Sequence, residues 1–536
     1  MKTLTLLLTL LLTSLVSSSS PPPHPDDDPK NLTIKTSTGF YTGLIDPLYP
    51  SVRQFRSIPY ALPPLGKSRW LPPVPAPASL KHHYSYRFPP SCPQYLSKNL
   101  TVWNSNITDF AINSYGQSLT SGSIAQTSSE DCLYLSIWTP FNATAESNLP
   151  VALFLPGGDF VGGGIDVTYQ KPTPWIERTK SHIVVTTNYR LNIVGFPWAG
   201  GLDTQNVGIL DQRAALEWVY SNIKPFGGDP SRIMLWGHSA GAVAVDIVSH
   251  AFWDDPIVSG QFMQSGTAMV NISYPDRTHS NFTFVAKNLG CDFPGDVQSE
   301  LECMRGVPMT LIQNFIGQYR DNGSTAWEGR PALSLFKPVP DEKIVFFNYT
   351  ERARKGFIPK VPALVSITSN ESGTLSRYPL TNVTEGPYQP YVDQATVGVF
   401  VCLASNTTQS RERKGLTTYR YEYSGNFSSL TPMGWMGAYH ASDVPMIFGT
   451  YQRKEGVTEY QKKVAERMQD YVLEFMKDSE NGLRGMGWLP YGETDGSFTG
   501  GRNMVRFGTG GVVESNVSAS EVDDACVLGK KWVFNP

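Results

Sequence analysis

Residues 233–241 read Ile233-Met234-Leu235-Trp236-Gly237-His238-Ser239-Ala240-Gly241, and Ala242 to Val248 continue small and apolar apart from Asp246. An apolar run, a serine with glycine two residues to either side, and a stretch suited to a buried helix describe a strand, a sharp turn and a helix. That is the local pattern of a nucleophile elbow. The turn is too tight for side chains at the glycines, and the serine must stand exposed where its strand ends. The pattern predicts a serine hydrolase with Ser239 as nucleophile.

A serine hydroxyl is a weak nucleophile and needs a base, which in this class of site follows the serine in the order Ser, Asp or Glu, His. Of the eight histidines, only those after Ser239 qualify. His238 is too close along the chain to approach Ser239, and His250 falls at the far end of the following helix. His279 and His440 remain. For the acid, Glu371 closely follows the apolar run from Val361 to Ile367, which reads as a buried parallel strand. Catalytic groups in open α/β sheets lie just beyond the carboxyl ends of strands. With Glu371 as acid, His440 is the histidine left downstream as base.

Other segments carry a resemblance. Ser129-Glu130-Asp131-Cys132-Leu133-Tyr134-Leu135-Ser136, Ile58-Pro59-Tyr60-Ala61, Asn188-Tyr189-Arg190-Leu191, Asn206 to Gln212, Phe226-Gly227-Gly228-Asp229-Pro230 and Gln264-Ser265-Gly266 occur in that family's order, from about Asn31 to the C-terminus. Together they resemble the type-B carboxylesterase/lipase family, which includes cholinesterases, fungal lipases and carboxylesterases, and the non-enzymatic neuroligins. The resemblance implies an α/β-hydrolase fold and places the acid in Thr368-Ser369-Asn370-Glu371-Ser372-Gly373 and the base in Tyr439-His440-Ala441-Ser442-Asp443-Val444. Both agree with the assignment from chain order.

The same resemblance implies an oxyanion hole from the loop Pro156-Gly157-Gly158-Asp159-Phe160, with the amides of Gly158, Asp159 and Ala240 as donors. Asp159 departs from the family's glycine. A carboxylate beside a developing oxyanion opposes catalysis unless the side chain turns away, and Asp tolerates unusual backbone angles well enough to do so. The run Gly162-Gly163-Gly164 reads as ordinary loop flexibility. His238 also departs, since relatives carry Glu or Gln before the nucleophile. Loss of that acid argues against a choline-ester specialist, and His238 is expected to fill its pocket and bond a backbone group. The mechanism implied is acyl transfer, with no metal and no organic cofactor.

Strands are predicted near 151–155, 183–187, 233–237, 261–264, 361–367 and 417–423, and helices over Asp211–Ile223 and Tyr460–Met476. In the second helix, Tyr460, Val464, Met468, Tyr471, Val472 and Phe475 recur at helical spacing and read as core packing. Alternating strands and helices predict an α/β fold with a large, mostly parallel central sheet and helices on both faces. Among the 536 residues no long linker or repeat appears past the N-terminus. Residues 1–20 read as a signal peptide, 21–30 as a flexible segment and 31–536 as a single catalytic domain.

A secreted, extracellular glycoprotein is the expectation from that leader and from sequons at Asn31, Asn99, Asn106, Asn142, Asn281, Asn348, Asn406 and Asn516. The sequon at Asn370 abuts the acid and is expected to be buried and unmodified. Six cysteines suggest three disulfides, and counting alone leaves their pairing open. The family resemblance implies Cys92 with Cys132 and Cys291 with Cys303, leaving Cys402 with Cys526. The first bridge would tether the loop Pro93–Asp131, a lid in related lipases. Trp103, Ile107, Phe110 and Ile112 suit either a lipid-sensing flap or a fixed gorge wall. A net charge of −3 and the absence of a basic tract make nucleic acid a poor partner. No stretch approaches a comfortable membrane span, and the partner expected is a small-molecule or lipid ester. A general carboxylesterase is favoured, with a lipase or sterol esterase, or a neuroligin-like binding protein, as alternatives.

Overall fold

Ser239 directly follows the sixth strand of an eleven-stranded sheet. The computed structural model describes residues 32–270, 278–323, 333, 335–377, 379, 382–493 and 502–527, so the leader, the flexible segment and Asn31 lie outside the described residues. The strands are β1 (Leu44–Ile45), β2 (Val52–Pro59), β3 (Tyr134–Pro140), β4 (Leu149–Leu155), β5 (Ile183–Thr187), β6 (Gly228–His238), β7 (Gly260–Gln264), β8 (Ala363–Thr368), β9 (Thr418–Tyr423), β10 (Asn503–Thr509) and β11 (Val512–Ser518). Across the sheet they run β11-β10-β9-β8-β7-β6-β4-β5-β3-β2-β1. From β5 to β10 the neighbours are parallel, while β1 to β3 and β11 pair antiparallel at the two edges.

Side-chain alternation along the central strands explains the layering. Val151, Leu153, Leu155, Ile233 and Leu235 face one core, while Ala152, Phe154, Met234 and Trp236 face the other. Helices α1 (Val207–Asn222) and α2 (Ala240–Ala251) cover the first face. Beyond β8 come α3 (Gln389–Thr396) and α4 (Cys402–Glu412), and α5 (Glu459–Lys477) covers the second face. The Val464, Met468, Tyr471, Val472 and Phe475 stripe of α5 is buried there, with Tyr460 packed at its edge. Among the described residues no helix is long and apolar enough to cross a membrane.

The strands predicted from apolar runs are present, but β1, β2, β3, β10 and β11 escape that reading. Two arginines and a glutamine interrupt β2, and hydroxyl residues interrupt β3. Tertiary bonds make those polar groups tolerable: Arg53 is fully buried, and its Nη2 donates to the Ala143 carbonyl at 2.6 Å. β6 also starts earlier than predicted, because Gly228 already pairs with Leu149 before the register shift ahead of Ile233.

A buried ion pair fixes the loop after β5 to α1. Arg190 and Asp211 are both fully buried and meet through two bonds, Nε to Oδ2 at 2.8 Å and Nη2 to Oδ1 at 2.7 Å. Removing one partner strands the other charge in a low-dielectric interior. Arg190→Met is therefore expected to destabilise the fold by about 3–5 kcal/mol, read from urea or thermal unfolding. A loss below ~1 kcal/mol would contradict this account of the pair.

Candidate active site

The turn from β6 into α2 places Ser239 at φ +56° and ψ −124°, outside the regions that L residues ordinarily occupy. Such strain survives only where the surroundings hold it, and here the Ser239 amide donates to the Gln264 carbonyl at 2.8 Å. Gly241 has to be glycine, since a Cβ there would collide with the Leu155 carbonyl oxygen of the neighbouring strand. Ala240 is the first residue of α2, where backbone N–H groups have no partner within the helix. The helix dipole also favours negative charge at that end.

Glu371 and His440, 69 residues apart, come together past the carboxyl ends of β8 and β9. The Thr368 amide donates to Glu371 Oε1 at 2.8 Å, while Oε2 lies 2.5 Å from His440 Nδ1. Both side chains are buried. With Nδ1 committed to the carboxylate, the other ring nitrogen is left to exchange a proton. His440 lies beside the elbow, because the ring of His238, one residue before Ser239, sits 4.7 Å from its centroid.

Asn370 locks the acid loop to the base loop, a role that its reading as a sequon missed. Its amide donates to the Ala438 carbonyl at 3.0 Å, and Nδ2 donates to the carbonyls of Trp435 at 3.0 Å and Met436 at 2.8 Å. Only 1% of Asn370 is exposed. Asp443 is a second buried carboxyl behind the pair, accepting from the Tyr421 hydroxyl at 2.9 Å. Burial, reinforced by the charge of Glu371, pushes it up to about 6.

His238 fills its pocket as expected, but its Nε2 meets no hydrogen-bond partner among the described residues. Burial, and then the neighbouring His440, hold it well below the ordinary imidazole range, so it is neutral. Phe400 and Trp103 complete the surround of His440, with ring centroids 5.2 and 6.5 Å away.

Asp159 takes the left-handed conformation at φ +57° and lines the same cavity as Ser239 and Ala240, one residue after Gly158. Its carboxylate is bound by Lys337, with Nζ 2.6 Å from Oδ1. No local sequence signal announces this pair, which spans 178 residues. The second glycine run is not slack loop. Gly163 has φ +98°, and any Cβ on it would strike the Gly157 carbonyl oxygen. Gln94 clamps it from outside, donating to its carbonyl at 3.0 Å and accepting from its amide at 2.9 Å.

Above Ser239 lies a cavity of about 1150 Å³ with Phe160, Val243, Val270 and Phe400 among its walls. The loop of residues 93–131 turns several apolar side chains inward, while Leu100 and Tyr115 stay exposed: Val102 and Ile107 pack with Met433, Met436 and Tyr439, and Ile112 with Ala125 and Val167. Trp103 Nε1 donates to the Thr374 carbonyl at 3.1 Å, and the Tyr95 and Ser97 hydroxyls donate to the Asp321 carboxylate at 2.9 and 2.5 Å. Disulfides join Cys92 to Cys132, Cys291 to Cys303 and Cys402 to Cys526. Asn99, Asn106, Asn142, Asn348, Asn406 and Asn516 are exposed and Asn281 is half-buried. Among the described residues no group of His, Cys, Asp and Glu side chains is arranged to hold a metal ion.

Comparison with known proteins agrees with this fold. The model of the carboxylesterase family matches residues 30–391 and 380–506. The chain is 37% identical over 514 residues to chlorogenic acid esterase of Aspergillus niger, covering 94% of this chain and 95% of that one. It is 36% identical over 526 residues to secreted lipase 5 of Gibberella zeae, with the same coverage of 94% and 95%. Liver carboxylesterase 1 of Oryctolagus cuniculus is 26% identical over 513 residues, covering 83% of this chain and 85% of that one.

Proposed function

The chain belongs to the carboxylesterase family and is a carboxylic ester hydrolase, and from that premise we propose that it is a secreted general carboxylesterase working through Ser239, Glu371 and His440. One observation carries the catalytic assignment: the buried 2.5 Å contact between Glu371 and His440 ends beside a strained serine that opens on a cavity of about 1150 Å³. Ser239 Oγ attacks the ester carbonyl while His440 takes its proton. Glu371 holds the ring in the tautomer that can accept that proton and balances the charge it gains. The oxyanion is met by the amides of Gly158, Asp159 and Ala240, each donor contributing about 3 kcal/mol where its geometry is good. The alcohol leaves with the proton from His440. Water then attacks the acyl-enzyme, again deprotonated by His440, and the acid is released.

Lys337 supports the departure at Asp159, because it balances the carboxylate that would otherwise repel the oxyanion. Secretion is supported by the leader-like residues 1–20, the three disulfides and the exposed sequons. The loop of residues 93–131 acts as a fixed wall. Lifting it would expose Val102, Ile107 and Ile112, at a cost of roughly 1.5–3 kcal/mol for each.

A series of 4-nitrophenyl esters from acetate to decanoate tests both points. Soluble esters should be turned over along an ordinary saturation curve, with no break in rate at the solubility limit of the longer ones. Failure to cleave any member would overturn the esterase reading. A steep rise at the interface would replace the fixed wall with a lipase lid.

A further inference from the structure

Beside the paired charges of Asp159 and Lys337, the cavity over Ser239 carries a third charged group, Arg377. Among the described residues its guanidinium forms no ion pair and no side-chain hydrogen bond, although it lies only six residues past Glu371. An unpaired arginine on open surface means little. At the mouth of a substrate cavity it presents a planar fork of N–H donors that matches a carboxylate. Tyr388 and Tyr391 line the same mouth, 76% and 61% exposed, and Val399 continues the apolar rim. Large rings left in water at a cavity mouth suit a bound organic group, and apolar walls strengthen a charge contact made between them. Lys337 is already committed to Asp159, so among the described residues lining the cavity Arg377 is the cation available to a ligand.

We propose that Arg377 selects esters carrying a carboxylate on the part remote from the scissile bond, with Tyr388 and Tyr391 flanking that part. The assignment rests on the reading of this cavity as the ester-hydrolysis site. It names Arg377 as a specificity residue that touches substrate and takes no part in bond making. The carboxylate could belong to the acyl or the alcohol portion, and the geometry of recognition is the same for both.

Two pairs of esters separate those sources. Mono-4-nitrophenyl glutarate against 4-nitrophenyl pentanoate places the charge on the acyl side, and 4-carboxyphenyl butanoate against 4-carbamoylphenyl butanoate places it on the alcohol side. The quantity read is kcat/KM for the charged ester divided by that for its neutral partner, which cancels any general loss of active protein. Arg377→Gln should lower that ratio about tenfold in one arm, equivalent to ~1.4 kcal/mol, and Arg377→Lys should recover part of it. Added salt should shrink the wild-type preference. A change of less than threefold in both arms would overturn the proposal. Calorimetric binding of the same esters to Ser239→Ala gives a readout independent of turnover. If the wild type cleaves nothing, the esterase reading falls, while loss of charged-ester binding in the Ser239→Ala, Arg377→Gln protein still supports carboxylate recognition and unchanged binding refutes it.

Discussion

Replacing Ser239 by alanine should lower kcat on 4-nitrophenyl butanoate by about 10⁴–10⁶-fold while leaving KM within a few-fold of wild type. In the proposed mechanism the hydroxyl is the atom that forms the new bond, so its loss removes the covalent route altogether. What remains is water attacking an ester held by the cavity and its amide donors. Stability should hardly move, since Ser239 is half-buried and its backbone geometry is imposed by the Gln264 bond and the glycines around it. Stoichiometric labelling by diethyl 4-nitrophenyl phosphate should vanish in the same variant. Residual turnover within a hundredfold of wild type, with the fold intact by circular dichroism, would move the nucleophile elsewhere.

The second large effect should come from Glu371→Gln, which is expected to cost about 10³–10⁴-fold in kcat. The amide matches the carboxylate in shape, and its oxygen can still accept from the Thr368 amide. Its NH2 group would then face His440 Nδ1 and force that nitrogen to be the acceptor. The proton would sit on the opposite ring nitrogen, where it cannot receive one from Ser239. A loss below tenfold would indicate that another carboxylate orients the ring, and Asp443 is the group placed to do so.

Much of this architecture could be read from residue order alone, and the omissions have physical causes. The elbow at Ser239 and the acid after β8 are local signals, a tight turn and a polar residue behind an apolar run. His440 followed from chain order because few histidines remained. β2 and β3 were opaque because their polar residues are satisfied by distant carbonyls such as that of Ala143. Gly163 looked like slack for a similar reason: the group that forbids a side chain there, the Gly157 carbonyl, is brought close only by folding. Lys337 gave no signal at all, since nothing near it in the chain marks it as the partner of Asp159.

On the proposed secretory route, Asn370 gives biosynthesis a race to win. Its side-chain nitrogen, the atom to which an oligosaccharyltransferase would attach sugar, is the one that donates to Trp435 and Met436 in the finished molecule. Those acceptors emerge from the ribosome 65 and 66 residues later, so the sequon is open to the enzyme before they can cover it. A chain tagged there could not seat the segment that carries Glu371 against the one that carries His440. Yield from a eukaryotic host therefore depends on how quickly this stretch closes, and inert product should carry one glycan more than active product.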